Sequence, residues 1–302
     1  NLVLGAESSA FTLYGGAYYD DDLPDLIGFD GDSPYLDNSA GLFHVYSYYS
    51  ATTASDVAAG GVKGYLHQTA VACGETEAIA GLANPAGAVL QSTTEYIANT
   101  TNGVTSYFVD SRTVYPDTNP AVNPLTTSYN YTFFTTQQGA NAPLIHTMEV
   151  VSPAATTAQN GSNSATSTVQ VYDTFGRVVW TKDAAGYITY TEYDPRSGAA
   201  VKQIGDVDLT ETGDFTAANL ALLTGLGWST PAGGGTHLTT AFEVDVLGRV
   251  VKQTDPAGTV TCFVYLDSGR ETRAYRGWDY ATHQAAGPVE VSRSDLAGNY
   301  TE

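Results

Sequence analysis

Histidine, cysteine and carboxylate side chains are the groups that could carry chemistry in this sequence, and their spacing narrows what that chemistry is. The five histidines, His44, His67, His146, His237 and His283, show no H-x-x-x-H or HExxH interval, so a helical zinc site has no support and each is read as structural. Cys73 and Cys262 lie far apart, without CxxC or Cys/His spacing. They read as two isolated core thiols, and a disulfide between them stays open because sequence does not report Cα separation. No G-x-S-x-G elbow precedes a strand-to-helix turn, and Gly233-Gly234-Gly235 lacks the Lys-Ser/Thr of a phosphate loop. Two spaced carboxylates would suffice for glycoside hydrolysis, but 32 Asp and Glu residues leave that idea without discriminating power. The sequence therefore predicts a non-enzyme with no catalytic residue and no cofactor.

One acidic stretch, Asp20-Asp21-Asp22, Asp25, Asp30, Asp32 and Asp37, is interleaved with Gly and Pro. Its oxygens make Asp20, Asp22, Asp30 and Asp32 a calcium candidate, since this hard cation takes oxygen ligands. However, Asp30-Gly31-Asp32-Ser33-Pro34 departs from an EF-hand loop at Pro34 and lacks its glycine and distal glutamate. A solvated acidic loop is the favoured reading. Asn99, Asn130, Asn160 and Asn299 each stand in N-x-S/T, a motif that matters only in a host with glycosylation machinery.

The elements that would position such groups are strands. Hydrophobic residues make up 42% and charged residues 15% of 302, with 21 Tyr and 31 Gly, a composition that favours strands and turns over helices. The net charge of −20 would repel nucleic acid or an anionic membrane surface. No run approaches the eighteen or so apolar residues of a membrane span.

From Val169 onward a short grammar recurs. Tyr172-Asp173-Thr174-Phe175-Gly176-Arg177 is followed by Asp183-Ala184-Ala185-Gly186, then Thr189, Tyr193 and Asp194. A shift of 72 residues places Asp245, Gly248, Arg249, Asp255, Gly258, Thr261 and Tyr265 on Asp173, Gly176, Arg177, Asp183, Gly186, Thr189 and Tyr193, with Val244 standing where Tyr172 does. The spelling is that of a turn: Asp opens a type I β-turn by capping backbone amides and Gly closes it. Pro256 strengthens Asp255-Pro256-Ala257-Gly258, and Asp194-Pro195-Arg196-Ser197-Gly198 is one residue longer. Between the turns, Arg177 to Lys182 and Tyr187 to Tyr193 read as strands. In the second, Tyr187, Thr189, Thr191 and Tyr193 share one face while Ile188, Tyr190 and Glu192 share the other. Near the end, Asp295, Gly298 and Thr301 match Asp183, Gly186 and Thr189, so the chain stops mid-repeat. That stop, with Asn1 in place of Met, predicts an interior segment of a longer polypeptide.

Y-D-x-x-G-R, D-x-x-G-x-x-T and a further Y-D resemble the Rhs/YD-repeat proteins over about residues 169 to 302. The resemblance implies an all-β fold, a strand-turn-strand ribbon winding into a spiral sheet, shell-like or solenoid-like. It adds no catalytic residue, and no counterpart of the self-cleaving core motif of shell-forming members is present.

Residues 1–151 read as a β-rich region of degenerate repeats or a companion β-domain. Expected strands are Leu42 to Tyr49, Gly64 to Val71, Gln91 to Ala98, Val104 to Val109, Arg112 to Tyr115, Ser128 to Thr135 and Leu144 to Val150, with Asn102-Gly103 as a hairpin turn. Residues 152–168 form a polar connector, and an insertion at about 206–240 carries one short helix, Asp214 to Leu223, capped by Asp214 or Thr216 and ended by Gly225. The functional expectation is a structural segment of a long extracellular or cell-surface protein forming a fibre, shell or surface layer. Its partners would be neighbouring repeats and further copies of itself. One alternative is the wall of a hollow shell enclosing a C-terminal toxin or enzyme. A second is an adhesive or sugar-binding module, which predicts Trp228 and Trp278 exposed in a groove.

Overall fold

The computed structural model describes residues 3–7, 11–12, 27–30, 33–36, 42–73, 88–134, 143–157, 161–295 and 297. Two units divide the chain, Asn1–Ser167 and Thr168–Glu302. Both are antiparallel and nearly all β, as β-branched and aromatic runs broken by Gly, Asn and Asp turns dictate.

In the first unit, β1 (Val3–Glu7) pairs with β2 (Phe11–Thr12) and with β5 (Leu42–Tyr48), while β3 (Ile27–Asp30) and β4 (Ser33–Leu36) form a separate hairpin. From β5 the chain meanders through β6 (Leu66–Cys73), β7 (Val89–Thr101), β8 (Val104–Val114), β9 (Leu125–Phe133) and β10 (Ile145–Ser152), each strand pairing with the next. Asn102 and Gly103, at φ 52° and 78°, make the two-residue turn between β7 and β8. Arg112 belongs to β8 rather than to a separate strand: at Asp110 the chain makes a register shift against β7, a bulge rather than a turn, and the pairing runs on through Ser111 to Val114. The sheet is laced by paired hydroxyls: Thr69–Ser92 at 2.8 Å, Thr113–Thr126 at 2.8 Å and Thr132–Thr147 at 2.7 Å. Tyr96 is buried, donates to the Leu66 carbonyl at 2.9 Å and receives the rings of Tyr49 and Tyr65 edge-on.

The second unit is one meander: β11 (Thr166–Tyr172), β12 (Val178–Lys182), β13 (Ile188–Tyr193), β14 (Ala200–Gly205), β15 (Leu238–Val244), β16 (Val250–Thr254), β17 (Val260–Leu266), β18 (Glu271–Arg276) and β21 (Val289–Arg293). The small hairpin β19 (Trp278–Asp279) and β20 (Gln284–Ala285) stands out before β21. Its core begins with one cross-strand row. Val171 faces Trp180, Trp180 faces Tyr190, and Tyr190 faces Ile204, all four buried. Over that row lies the insertion, which contributes Val207, Phe215, Leu223 and Trp228.

The insertion's helix α1 spans Ala217–Gly225. Asp214 is not its cap, because Lys202 and His237 hold that carboxylate; the Thr216 hydroxyl accepts from Asn219 N–H at 3.2 Å instead. Gly225 lies inside the helix and the left-handed residue that follows it is Gly227, at φ 66°. Nine residues are too few for a stable isolated helix, so α1 depends on packing against the row. Removing the side chain at its centre, Trp180→Ala, should lower stability by about 3–5 kcal/mol, read as a loss of urea resistance by circular dichroism. Lys252→Ala, at the matching place in the second repeat, should leave the urea midpoint close to that of the parent.

Candidate functional site

The residues that recur at the 72-residue interval converge on one construction, built twice. At Asp173-Thr174-Phe175-Gly176, Gly176 N–H donates to the Asp173 carbonyl at 3.0 Å and Asp173 N–H to the Arg177 carbonyl at 2.9 Å. Asp173 Oδ1 accepts the amides of Phe175 at 2.9 Å and Arg177 at 3.0 Å, while Oδ2 takes the Arg177 guanidinium at 2.7–2.8 Å. Arg177 then lies over the ring of Tyr193, 4.4 Å from its centroid, and the Tyr193 hydroxyl donates to the Val178 carbonyl at 2.8 Å.

Asp245, Gly248, Arg249 and Tyr265 repeat each contact. Asp245 Oδ1 accepts from Leu247 and Arg249 amides at 2.9 Å, Oδ2 from Arg249 Nε at 2.7 Å, and Arg249 stacks 4.4 Å from the Tyr265 centroid. Tyr265 donates to the Val250 carbonyl at 2.8 Å. Gly176 and Gly248 sit at φ 76° and 79°, where a Cβ is strained.

The second turn of each repeat uses carboxylate and amides without arginine: Asp183 Oδ1 accepts from Ala185 at 2.9 Å and Tyr187 at 2.8 Å, and Asp255 Oδ1 from Ala257 at 2.9 Å and Thr259 at 2.7 Å. Gly186 and Gly258 close these turns. Asp194 accepts from the amide and hydroxyl of Ser197, both at 2.7 Å. Tyr172 donates to Gln170 at 2.7 Å, Thr189 is exposed opposite Thr181, and Thr261 faces Gln253.

Strand order places Asp173, Asp194, Asp245 and Asp267 at one end of the meander and Asp183 and Asp255 at the other. Asp295, which follows β21, belongs with the first set, so it is the counterpart of Asp173 and Asp245 rather than of Asp183. It accepts from the Ala297 amide at 2.8 Å. Gly298 and Thr301 lie outside the described residues, as do Asp20, Asp22 and Asp32. Asp30 is described in its backbone alone, opposite Ser33 in the β3–β4 hairpin.

Two further networks had no signature in the sequence. Asp208 N–H donates to His237 Nδ1 at 3.1 Å, so the ring proton sits on Nε2, which donates to Asp214 at 3.1 Å; Lys202 reaches the other Asp214 oxygen at 3.1 Å. Both ring nitrogens of His237 thus tie the insertion shut. Glu271, nearly buried, is held by Arg273 and, at 2.8 Å, by Arg293. Trp228 is 9% exposed inside the core, with Lys182 over its ring; packing with Leu223 and Trp180 removes it from any groove. Trp278 is half-buried among Tyr275, Tyr280 and His283.

No family model matches this sequence, and no curated protein does. Among solved structures, the Tc holotoxin pore of Photorhabdus luminescens is similar at TM-score 0.47 and 11% identity, covering 89% of this chain and 10% of that one. A TcdB2–TccC3 structure is similar at TM-score 0.45 and 10% identity, covering 89% of this chain and 11% of that one. This chain therefore spans about a tenth of the chains it resembles, and the likeness gives no residue a role.

The amide of Arg249 chiefly holds the Asp245 carboxyl below the usual range, with the guanidinium adding to it, and the Ser197 amide does the same for Asp194. A depressed folded value gives stability that is present above the unfolded value and is lost as pH falls through the folded one. Asn at this position can still accept from the turn amides but holds no charge. Asp245→Asn should therefore be less stable than the parent at neutral pH, and the gap should narrow between about pH 5 and 2. Melting temperature against pH for the two proteins gives the answer.

Proposed function

We propose that this chain is a structural, non-enzymatic segment of a long extracellular YD-repeat protein of the Rhs type, a stretch of wall in which each strand is held by the ones before and after it. The observation that carries this reading is the duplicated clamp. Asp173, Arg177 and Tyr193, and again Asp245, Arg249 and Tyr265, satisfy one another and the turn backbone. Those residue types, in that pattern, serve nearest-neighbour packing, the energetics of an extendable array. Asp295 begins the same turn a third time. A net charge of −20 keeps such a surface soluble and discourages unspecific association.

Electron cryomicroscopy of the intact parent protein tests the reading. The expected result is a continuous antiparallel wall in which these strands pair with the residues before and after them at about 4.8 Å spacing. An extended particle marks a fibre or surface layer; a closed wall with density inside marks a shell around cargo, and both are structural. A parent in which residues 168–302 form an isolated body on flexible linkers, with no strand pairing to its neighbours, overturns the proposal.

A further inference from the structure

Each repeat has a turn between its third and fourth strands with one residue in the left-handed region. In the first it is Gly198, at φ 74°; in the second it is Arg270, at φ 47°. An arginine there costs backbone strain that glycine avoids. Its side chain has no hydrogen-bond or ion-pair partner among the described residues. It borders a cavity of about 170 Å³ lined also by Tyr265, Leu266, Asp267, Glu271, Thr272 and Ser294.

The lining carboxylates are already neutralised. Asp267 takes Arg249 Nη1 at 2.6 Å, and Glu271 is bracketed by Arg273 and Arg293. The hydroxyls of Thr272 and Ser294, like the Arg270 guanidinium, have no partner among the described residues. Arg270, Thr272 and Ser294, whose side-chain donors are unused among the described residues, therefore border one small cavity, in a chain that is otherwise heavily acidic.

We propose that this cavity binds a small oxyanion, of carboxylate or sulfate type, through the Arg270 guanidinium and the Thr272 and Ser294 hydroxyls. A guanidinium grips such groups with two parallel donors, and hydroxyls complete the shell. The strained backbone fits this role, since residues held in sparsely populated backbone regions cluster at ligand-binding sites.

The test titrates the isotope-labelled 302-residue chain with sodium succinate and with sodium sulfate at low ionic strength, sodium chloride serving as control, followed by amide chemical shifts. Saturable shifts around residues 265–272 and 294 with succinate, sulfate or both are expected; which probe saturates tells carboxylate from sulfate. Arg270→Gly places glycine where the backbone favours it, so it should melt no lower than the parent while binding at least about tenfold more weakly. Absence of saturation in the parent, shifts equal to those of chloride, or unchanged binding in Arg270→Gly would each overturn the proposal. A lowered melting temperature in that variant would make Arg270 a structural residue and overturn it as well.

Discussion

Both repeats of the second unit rest on a carboxylate that closes a turn from within its own few residues. Asp173 Oδ1 collects two amides that the turn would otherwise leave without partners, and unmade backbone bonds are what a folded chain can least tolerate. With one oxygen so used, the other fixes the guanidinium of Arg177, whose flat face becomes the surface on which Tyr193 of a later strand lands. The tyrosine hydroxyl then returns to the carbonyl beside that arginine. The turn that joins β11 to β12 is thereby tied to the following strand, β13, and register is set twice, once by the turn and once by the clamp.

The two repeats share this end and differ in the row of side chains along the sheet. Val171, Trp180, Tyr190 and Ile204 of the first correspond, strand for strand, to Glu243, Lys252, Cys262 and Tyr275 of the second. An apolar row cannot be left in water at about 25 cal/mol per Å², and the first repeat covers it with α1 and the flanking insertion. The second row pairs Lys252 with Glu243 at 2.7 Å and carries only the short β19–β20 hairpin beyond β18. The size of the insert thus follows the polarity of the row.

How much of this the sequence shows depends on how far each interaction reaches. Turns such as Asp255-Pro256-Ala257-Gly258 are local in cause, so their residues spell them out, and the hairpin at Asn102-Gly103 is legible for the same reason. The alternation in β13 likewise separates Ile188 and Tyr190, both buried, from Thr189 on the other face. The stacking of Arg177 on Tyr193 joins two strands, and the 72-residue register conserves the pair without saying what it does. The bracketing of Glu271 and the closure through His237 join residues that no periodicity relates. Asp295 shows the opposite hazard: D-x-x-G is spelled alike at both ends of the meander, and only the direction of β21 assigns it to the end that carries Asp173 and Asp245.

Both extra segments, 206–237 and 277–288, leave the meander at the end opposite the clamps. The reason is geometric. At the clamp end neighbouring turns are close: a Cβ on Gly248 would come within 3.2 Å of Ser197, and one on Gly198 within 3.3 Å of the Arg177 guanidinium, so a longer loop there would displace an arginine from its tyrosine. At the other end the turns at Asp183 and Asp255 are closed by carboxylate and amides alone, with no arginine stacked on a later tyrosine, and closing a longer loop costs only about 0.6 kcal/mol for each doubling of its length. Insertion is therefore tolerated where the ribbon has no arginine–tyrosine clamp to lose, and one end of the sheet stays constant while the other is free to acquire segments such as α1 that cover whatever the strands expose.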